Sequence, residues 1–390
     1  LKKLLRIAVV TETYPPEING VAKTIGKMVQ DLRSRGHFIQ LFRPKQKSND
    51  SREISVNGQD ISLPGIKIPV YRDLCFGLPA ARLLENVWHS QPPDLVHVVT
   101  EGPLGWSAVR AARKLGLPVI SDYHTNFHAY SRYYRLGIFQ NPVKKYLRYL
   151  HNRTDYTLVP TRELQQSLNE QGYQNVGVVG RGIDTRLFSF RKRDNLLRKS
   201  WGLTENDTAV LYVGRLAPEK NVQLVLNAFQ QMSLKDPALR LVLVGDGPSR
   251  KGLEHKYPQV IFTGMQRGEA LARHYASGDI FLFPSITETF GNVILEAMAS
   301  GLTIVTFDYA AAQECLRHNE SAFLAPYNNR LEFIKLACSL AGCRDTIERL
   351  RRSAQEAAKN CTWDNSISQL EHVYFSLLSS EGERKCCCIS

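Results

Sequence analysis

The chain has 390 residues, 43% of them hydrophobic and 22% charged, with a formal net charge of +13. That length can build two hydrophobic cores, and the composition excludes a disordered or collagen-like chain. No apolar run reaches the roughly 20 residues that span a bilayer, and Leu1–Thr13 shows neither the apolar region nor the cleavage site of a signal peptide.

The charge is uneven. Residues 1–185 hold 25 Lys and Arg against 15 Asp and Glu, whereas residues 186–390 hold 25 against 22. The positive field of the first half points to an anionic partner, and nucleic acid, an anionic membrane or a phosphorylated substrate all fit it. The eight cysteines include no two matching C-x-x-C pairs, which suits a reducing compartment and provides no zinc site.

In chain order, Leu5–Val10 is an apolar run suited to a buried parallel strand. The loop TETYPPEING follows, then Val21, Ile25, Met28, Val29 and Leu32 at helical spacing, with Gly36 as the stop. Further strands are expected at Phe38–Phe42, Asp94–Thr100, Pro118–Ser121 and Tyr156–Val159, with helices at Trp106–Leu115 and Arg162–Asn169 between them. The basic stretch SFRKRDNLLRKS reads as an interdomain linker and a first helix. The rhythm then restarts with strands at Val210–Val213, Leu241–Val244, Val260–Phe262, Ile280–Phe283 and Thr303–Thr306, and ends in helices at Arg344–Lys359 and Ser366–Leu378. This alternation predicts an α/β chain of two doubly wound, Rossmann-like domains, 1–185 and 186–362, facing each other across a cleft. Residues 363–380 are expected to form a helix that can cross back to the first domain, and 381–390 a flexible Cys-rich tail.

Several stretches can carry chemistry. Phe281-Leu-Phe-Pro284-Ser285 ends a strand, and Gly291 and Asn292 permit a tight turn into a helix over Val293–Ala299, whose free N–H groups suit a phosphate. Two carboxylates bracket that turn, Glu288 in the loop and Glu296 about one turn inside the helix. A carboxylate accepts two hydrogen bonds from a sugar diol; the competing reading is a solvated loop acid and a helix surface residue. Arg215 and Lys220, on the loop Gly214–Lys220, suit a diphosphate, and are otherwise two solvated cations. Gly245-Asp246-Gly247-Pro248 brings backbone close at the end of the next strand. In the first half, Gly20 can turn its amide toward the same diphosphate, and His124 ends a strand, where a lone histidine is also commonly structural.

The ordered set Gly214-Arg215…Lys220, Gly245-Asp246-Gly247-Pro248 and Pro284-Ser285…Glu288-Thr-Phe-Gly291…Glu296-Ala-Met-Ala-Ser-Gly301 resembles the family-four retaining glycosyltransferases of the GT-B fold, with Glu288 and Glu296 matching their E-x7-E motif. The resemblance covers nearly the whole chain. It implies that Arg215 and Lys220 hold a nucleotide-sugar diphosphate, that Glu288 contacts the donor sugar and that Glu296 holds the ribose. It further implies that Gly20 matches the family's glycine loop and that His124 lies beside the reacting sugar. Two departures stand out: Asn19-Gly20 where many members have two glycines, and Arg181 where Asn is common before Gly-Ile/Val-Asp. The acids would then hold the hydroxyl-rich ends of the donor while the cations and helix amides hold its charged middle. The chain has no Asp-x-Asp triplet, which fits a site with no divalent metal and no other cofactor.

Residues 128–153 hold six Lys and Arg, five Tyr and no acid. Within them Val143, Tyr146, Leu147 and Leu150 form a stripe opposite Lys144, Lys145, Arg148 and His151. Such a helix either lies on an anionic membrane or packs its apolar face on its own domain. The tail Cys387-Cys388-Ile389-Ser390 fits a prenylation signal loosely, with Cys386 a possible palmitoyl site. The expected function is therefore retaining transfer of a hexose, mannose or glucose, from a nucleoside diphosphate to a lipid or glycan acceptor by a cytoplasmic enzyme that can sit on the membrane surface. The same transfer to a soluble acceptor is the alternative. A nucleic-acid-binding protein lacks a recognisable module here, and a dehydrogenase lacks a G-x-G-x-x-G after the first strand; nucleic acid is not an expected partner.

Overall fold

In a computed structural model of the chain the described residues are 3–17, 19–45, 53–55, 58–68, 71–124, 140–204 and 207–387. They divide into two compact units. One draws on Leu1–Thr125, Ile138–Gly180 and Ser366–Ser390, and the described part of the other lies within Arg181–Asn365.

The first unit is built on strands β1 (Arg6–Val10), β2 (Phe38–Pro44), β3 (Glu53–Ser55), β4 (Gly58–Leu63), β5 (Gly65–Ile68), β6 (Tyr71–Gly77), β7 (Leu95–Val98), β8 (Val119–Asp122), β9 (Tyr156–Val159) and β10 (Val176–Val178). Its main sheet runs β10-β9-β8-β7-β1-β2-β4-β3. β1 pairs in parallel with β2 and β7, while β3 is antiparallel to β4. β1 shows why the sheet is covered on both faces. Ile7 and Val9 enter one core, with Ile25, Met28, Val29 and Leu32 of the helix Gly20–Ser34. Ala8 and Val10 enter the other, with Leu84, Trp88, Leu104 and Ala108. Ile367, Leu370 and Tyr374 of the last helix, Trp363–Cys387, join the first of these cores. That helix takes in Arg384–Cys387 of the tail; Cys388–Ser390 lie outside the described residues.

The second unit has β11 (Ala209–Val213), β12 (Arg240–Val244), β13 (Ile261–Gly264), β14 (Ile280–Phe283), β15 (Thr303–Phe307) and β16 (Phe323–Ala325) in the order β13-β12-β11-β14-β15-β16. Every neighbouring pair is parallel. All residues of β11, β14 and β15 are buried, as continuous apolar runs in a two-faced sheet should be. The basic stretch read as a linker is tied down onto this unit. Asp194 caps the helix Asn195–Ser200, and buried Asp279 accepts from Arg193 and Arg198, both at 2.9 Å, and from the Ala209 amide at 2.8 Å. Arg198 is 1% exposed, so its charge is structural.

In each sheet the winding reverses beside the first strand, between β1 and β7 and between β11 and β14. Loops leaving such neighbours diverge to opposite faces and open a crevice at the strand C-termini. In the first unit buried Glu12 crosses that point. Its amide donates to Thr100 Oγ1 at 2.8 Å and its Oε1 accepts from the Leu104 amide at 2.8 Å. Burial, reinforced by the nearby Glu101 charge, pushes the Glu12 carboxyl up to about 7 against the pull of the Leu104 and Gly105 amides. In the unfolded chain this acid loses its proton near its ordinary 4.5, so stability falls as pH rises from about 4.5 to about 7. Glu12→Gln should remove that slope, gaining up to about 3 kcal/mol relative to the wild type between pH 4 and pH 8. Urea unfolding of both proteins at the two pH values measures it.

Candidate active site

The crevice of the second unit is lined by the loops after β11 and β14. The first loop is held by backbone. Gly214 N donates to Val244 O at 3.0 Å and Leu216 N to Asp246 O at 2.9 Å, which pins it to the loop after β12. Gly245 makes this possible: at φ +143° a Cβ there would stand 1.9 Å from Gly214 O. A short turn, Pro218–Lys220, then delivers Lys220.

Lys220 Nζ donates to Glu288 Oε1 at 2.5 Å, and Ser285 Oγ donates to the same oxygen at 2.6 Å. The two charged side chains are 14% and 16% exposed, deep enough for the pairing to be strong yet open to a ligand. Two further contacts join the loops: Asn221 Nδ2 to Pro284 O at 3.3 Å and Thr287 Oγ1 to Glu219 O at 3.3 Å. Tyr309 braces the Glu288 loop from β15's side, donating to Ser285 O at 2.7 Å and accepting from the Glu288 amide at 3.2 Å. Burial, with the Glu288 charge second, holds its phenol well above the ordinary range, so it stays a donor.

Arg215 is the more exposed cation, 42%, with Nη1 3.4 Å from buried Glu219. Gly291 precedes the helix Asn292–Ala299 at φ +94°, a left-handed turn that aims the first amides of that helix out of the loop. Six of its eight residues, from Ile294 to Ala299, are buried, so it is a core helix and only its start faces outward. Glu296 lies inside it at 5% exposure. The reading of this acid as a helix surface residue is therefore wrong. It sits beside Tyr275, whose phenol is pushed well above its usual range by burial and then by the Glu296 charge. Sequence reasoning gave no role to Ser285, Glu219 or Tyr309. Ser285 was legible from its place three residues before Glu288; Tyr309 and Glu219 give no local signal.

In the first unit, Gly20 opens the helix Gly20–Ser34, capped by Asn19, whose Oδ1 accepts from the Ala22 amide at 2.7 Å. Asn19 in place of a glycine thus provides a cap. His124 is 9% exposed, two residues past β8. Its Nε2 lies 2.9 Å from Asp122 Oδ2, and Asp122 Oδ1 lies 3.0 Å from His97 Nε2. Both contacts have the distance of ion pairs without the straight N–H···O line of full hydrogen bonds. Burial alone would raise the Asp122 carboxyl; the imidazoles of His97 and His124 outweigh it and hold Asp122 well below the carboxylate range. The D-x-H spacing at the end of an extended strand, which puts both side chains on one face, was the available signal for Asp122.

The helix Gln140–His151 forms as expected, but its faces differ from the reading. Leu147 and Leu150 are buried, Leu147 against Tyr123, Val159 and Leu168, so the apolar stripe packs on its own unit. His151 is not on the basic face: it is fully buried, with Nδ1 2.8 Å from Ser121 Oγ. A buried hydroxyl partner makes that position more favourable than solvent. Tyr146 instead belongs to the outer side, 37% exposed, its hydroxyl donating to Glu101 O at 2.6 Å. Lys144 is half-buried, while Lys145 and Arg148 are exposed. With Tyr146, Tyr149, Asn152 and Arg153 the last two line a shallow depression. Residues 128–139 of the basic stretch lie outside the described residues. Among the described residues no group of three or more His, Cys, Asp or Glu could hold a metal ion, and no helix is long and apolar enough to cross a membrane.

Residues 18–187 match the model of Glycosyltransferase Family 4, and residues 207–342 that of Glycosyl transferases group 1. A GDP-mannose-dependent alpha-mannosyltransferase of Mycobacterium tuberculosis is 32% identical over 324 residues, 83% of this chain and 84% of that protein. The alpha-monoglucosyldiacylglycerol synthase of Streptococcus pneumoniae is 30% identical over 315 residues, 77% of this chain and 70% of its own. Among solved structures, sucrose-phosphate synthase from Thermosynechococcus elongatus superposes with a TM-score of 0.77 over 96% of this chain and 100% of that one, at 19% identity.

Proposed function

Because the chain belongs to the family-four glycosyltransferases of the GT-B fold, and so transfers a hexose from a nucleotide sugar, we propose that the Lys220–Glu288 pair is the donor-sugar site of a mannosyltransferase acting on a lipid acceptor. The pair itself carries the reading: an ammonium and a carboxylate hold each other at a switch-point crevice, the place where α/β sheets bind ligands. A donor diphosphate recruits Lys220 and Arg215, with the amides at Gly291 and Asn292 adding donors. Glu288, released from Lys220, accepts from hydroxyls of the sugar, and Glu296 from the ribose. Gly20 and His124 keep the roles that the family resemblance implies, His124 beside the reacting sugar. The nucleoside diphosphate leaves, the acceptor hydroxyl attacks from the same face, and a donor phosphate oxygen takes its proton. The configuration at the anomeric carbon is retained. Cationic side chains neutralise the leaving group, so no divalent metal takes part. Mannose is preferred because the mycobacterial relative is GDP-mannose-dependent, and a lipid acceptor because the streptococcal one makes a glucosyldiacylglycerol.

The membrane-surface reading rests on the outer face of the helix Gln140–His151. Its apolar stripe is used internally, so adsorption is electrostatic through Lys144, Lys145 and Arg148, with Tyr149, 50% exposed, at the interface.

Lys220→Ala and Glu288→Ala should each lower transfer from GDP-mannose by about 10²–10³-fold. Lys220→Ala should also weaken GDP binding in calorimetry, and near-normal turnover in both variants would sink the assignment. Activity should be unchanged in excess EDTA. Vesicles containing phosphatidylglycerol should co-sediment the wild-type protein, phosphatidylcholine vesicles should not, and K144E/K145E/R148E should abolish the difference; equal binding to both lipids would remove the electrostatic reading.

A further inference from the structure

The Asp122–His124 contact does not end at Asp122. His97, on β7 and fully buried, faces the other carboxylate oxygen, and its Nδ1 lies 2.6 Å from the hydroxyl of Tyr374. Tyr374 is fully buried too, and comes from the last helix, 277 residues further along the chain. Its ring crosses the imidazole edge-on at 5.8 Å. Phenylalanine would fill the same apolar space beside Ile367 and Leu370. The hydroxyl is therefore an added feature, directed at one imidazole nitrogen.

The chemistry of the chain of contacts is determined by its middle. Asp122 is a buried carboxylate. A nitrogen lone pair 3 Å from it would be repelled, so the facing Nε2 atoms of His97 and His124 both carry hydrogen. With Nε2 turned to Asp122, His97 presents its other ring nitrogen, Nδ1, to the Tyr374 hydroxyl. Burial first, and the Asp122 and Glu371 charges after it, keep that phenol protonated. The helix is anchored one turn earlier as well. Glu371 takes Arg35 at 2.6 Å and His37 at 2.9 Å, which sets the height at which Tyr374 meets His97.

We propose that Tyr374 is a positioning residue for His124, acting through His97 and Asp122, so that docking of the last helix sets the ring orientation and tautomer of the histidine at the reacting sugar. The inference rests on the assignment of His124 to that sugar. On it, His124 keeps its hydrogen on Nε2, toward Asp122. Removing the Tyr374 hydroxyl lets the His97 ring turn, Asp122 loses its second partner, and His124 samples both tautomers.

The test uses the full chain, with Tyr374→Phe, Asp122→Asn and His124→Ala. Tyr374→Phe should lower kcat for transfer by about 10–100-fold, the range for loss of a hydrogen bond that orients a working ligand. KM for the donor and the Kd for nucleoside diphosphate should change less than about twofold, a split that general destabilisation does not produce. Nitrogen-15 spectra of the imidazoles should show His124 with one protonated nitrogen, Nε2, in the wild type and averaged nitrogens in the variant. Asp122→Asn, which leaves Tyr374 in place, should give the same kcat loss and the same spectral change; it decides the matter if Tyr374→Phe does not fold. If His124→Ala loses activity while Tyr374→Phe keeps wild-type kcat and an unchanged His124 spectrum, the positioning role is overturned alone. If His124→Ala turns over normally, the placement of His124 at the sugar fails and takes the positioning role with it.

Discussion

The molecule depends on a constraint of parallel sheets: where the winding reverses beside the first strand, the two adjoining loops cannot cover each other. The strand order places such a gap beside β1 and again beside β11. Polar groups at each gap must be satisfied by side chains from the two loops. Glu12 does this in the first unit, reaching Thr100 and Leu104 across the reversal. Lys220 and Glu288 do it in the second, with Asn221 and Thr287 beside them. The two crossings differ in kind. Glu12 is shut in and meets backbone amides, a structural solution. Lys220 and Glu288 meet each other, partly open to water, and that arrangement can be exchanged for a ligand.

Two charge clusters of this chain are spent internally. The basic stretch around Arg193 and Arg198 converges on Asp279, and the Arg35–His37 corner on Glu371. Each acid draws its partners from a segment far away in sequence. Lys145, Arg148 and Arg153 stay together on an outward edge of the first unit, and the association proposed for that unit leans on it.

Much of this was legible in the sequence, and the failures have physical causes. The strands β11 and β14 are continuous apolar runs, and β1 and β9 are nearly so, a pattern that suits a two-faced sheet. The stretch from β3 to β6 was not foreseen, because its strands mix polar residues among the apolar ones, at the sheet margin and in a separate hairpin. β16 has three residues, too few for a period to register. Of the site, Glu288, Lys220 and Arg215 were visible as charges on strand-to-helix loops. The burial of Glu296 was not, since helical spacing alone does not say that both faces of Asn292–Ala299 are covered. His151 was misplaced for the opposite reason: a polar residue at a helix end reads as solvated until Ser121, 30 residues away, supplies its partner. Tyr374 lies beyond any local reading, because its partner is on β7.

The short Lys220–Glu288 contact also bears on which molecules the second unit would refuse. On the proposed reading, a simple oxyanion such as sulfate can draw Lys220 away only by stranding a half-buried carboxylate. It brings no donor of its own to replace the lost ammonium. A molecule carrying negative oxygens at one end and hydroxyl hydrogens at the other satisfies both halves at once. On that reading the pair itself favours a ligand that answers both of its charges over abundant small anions.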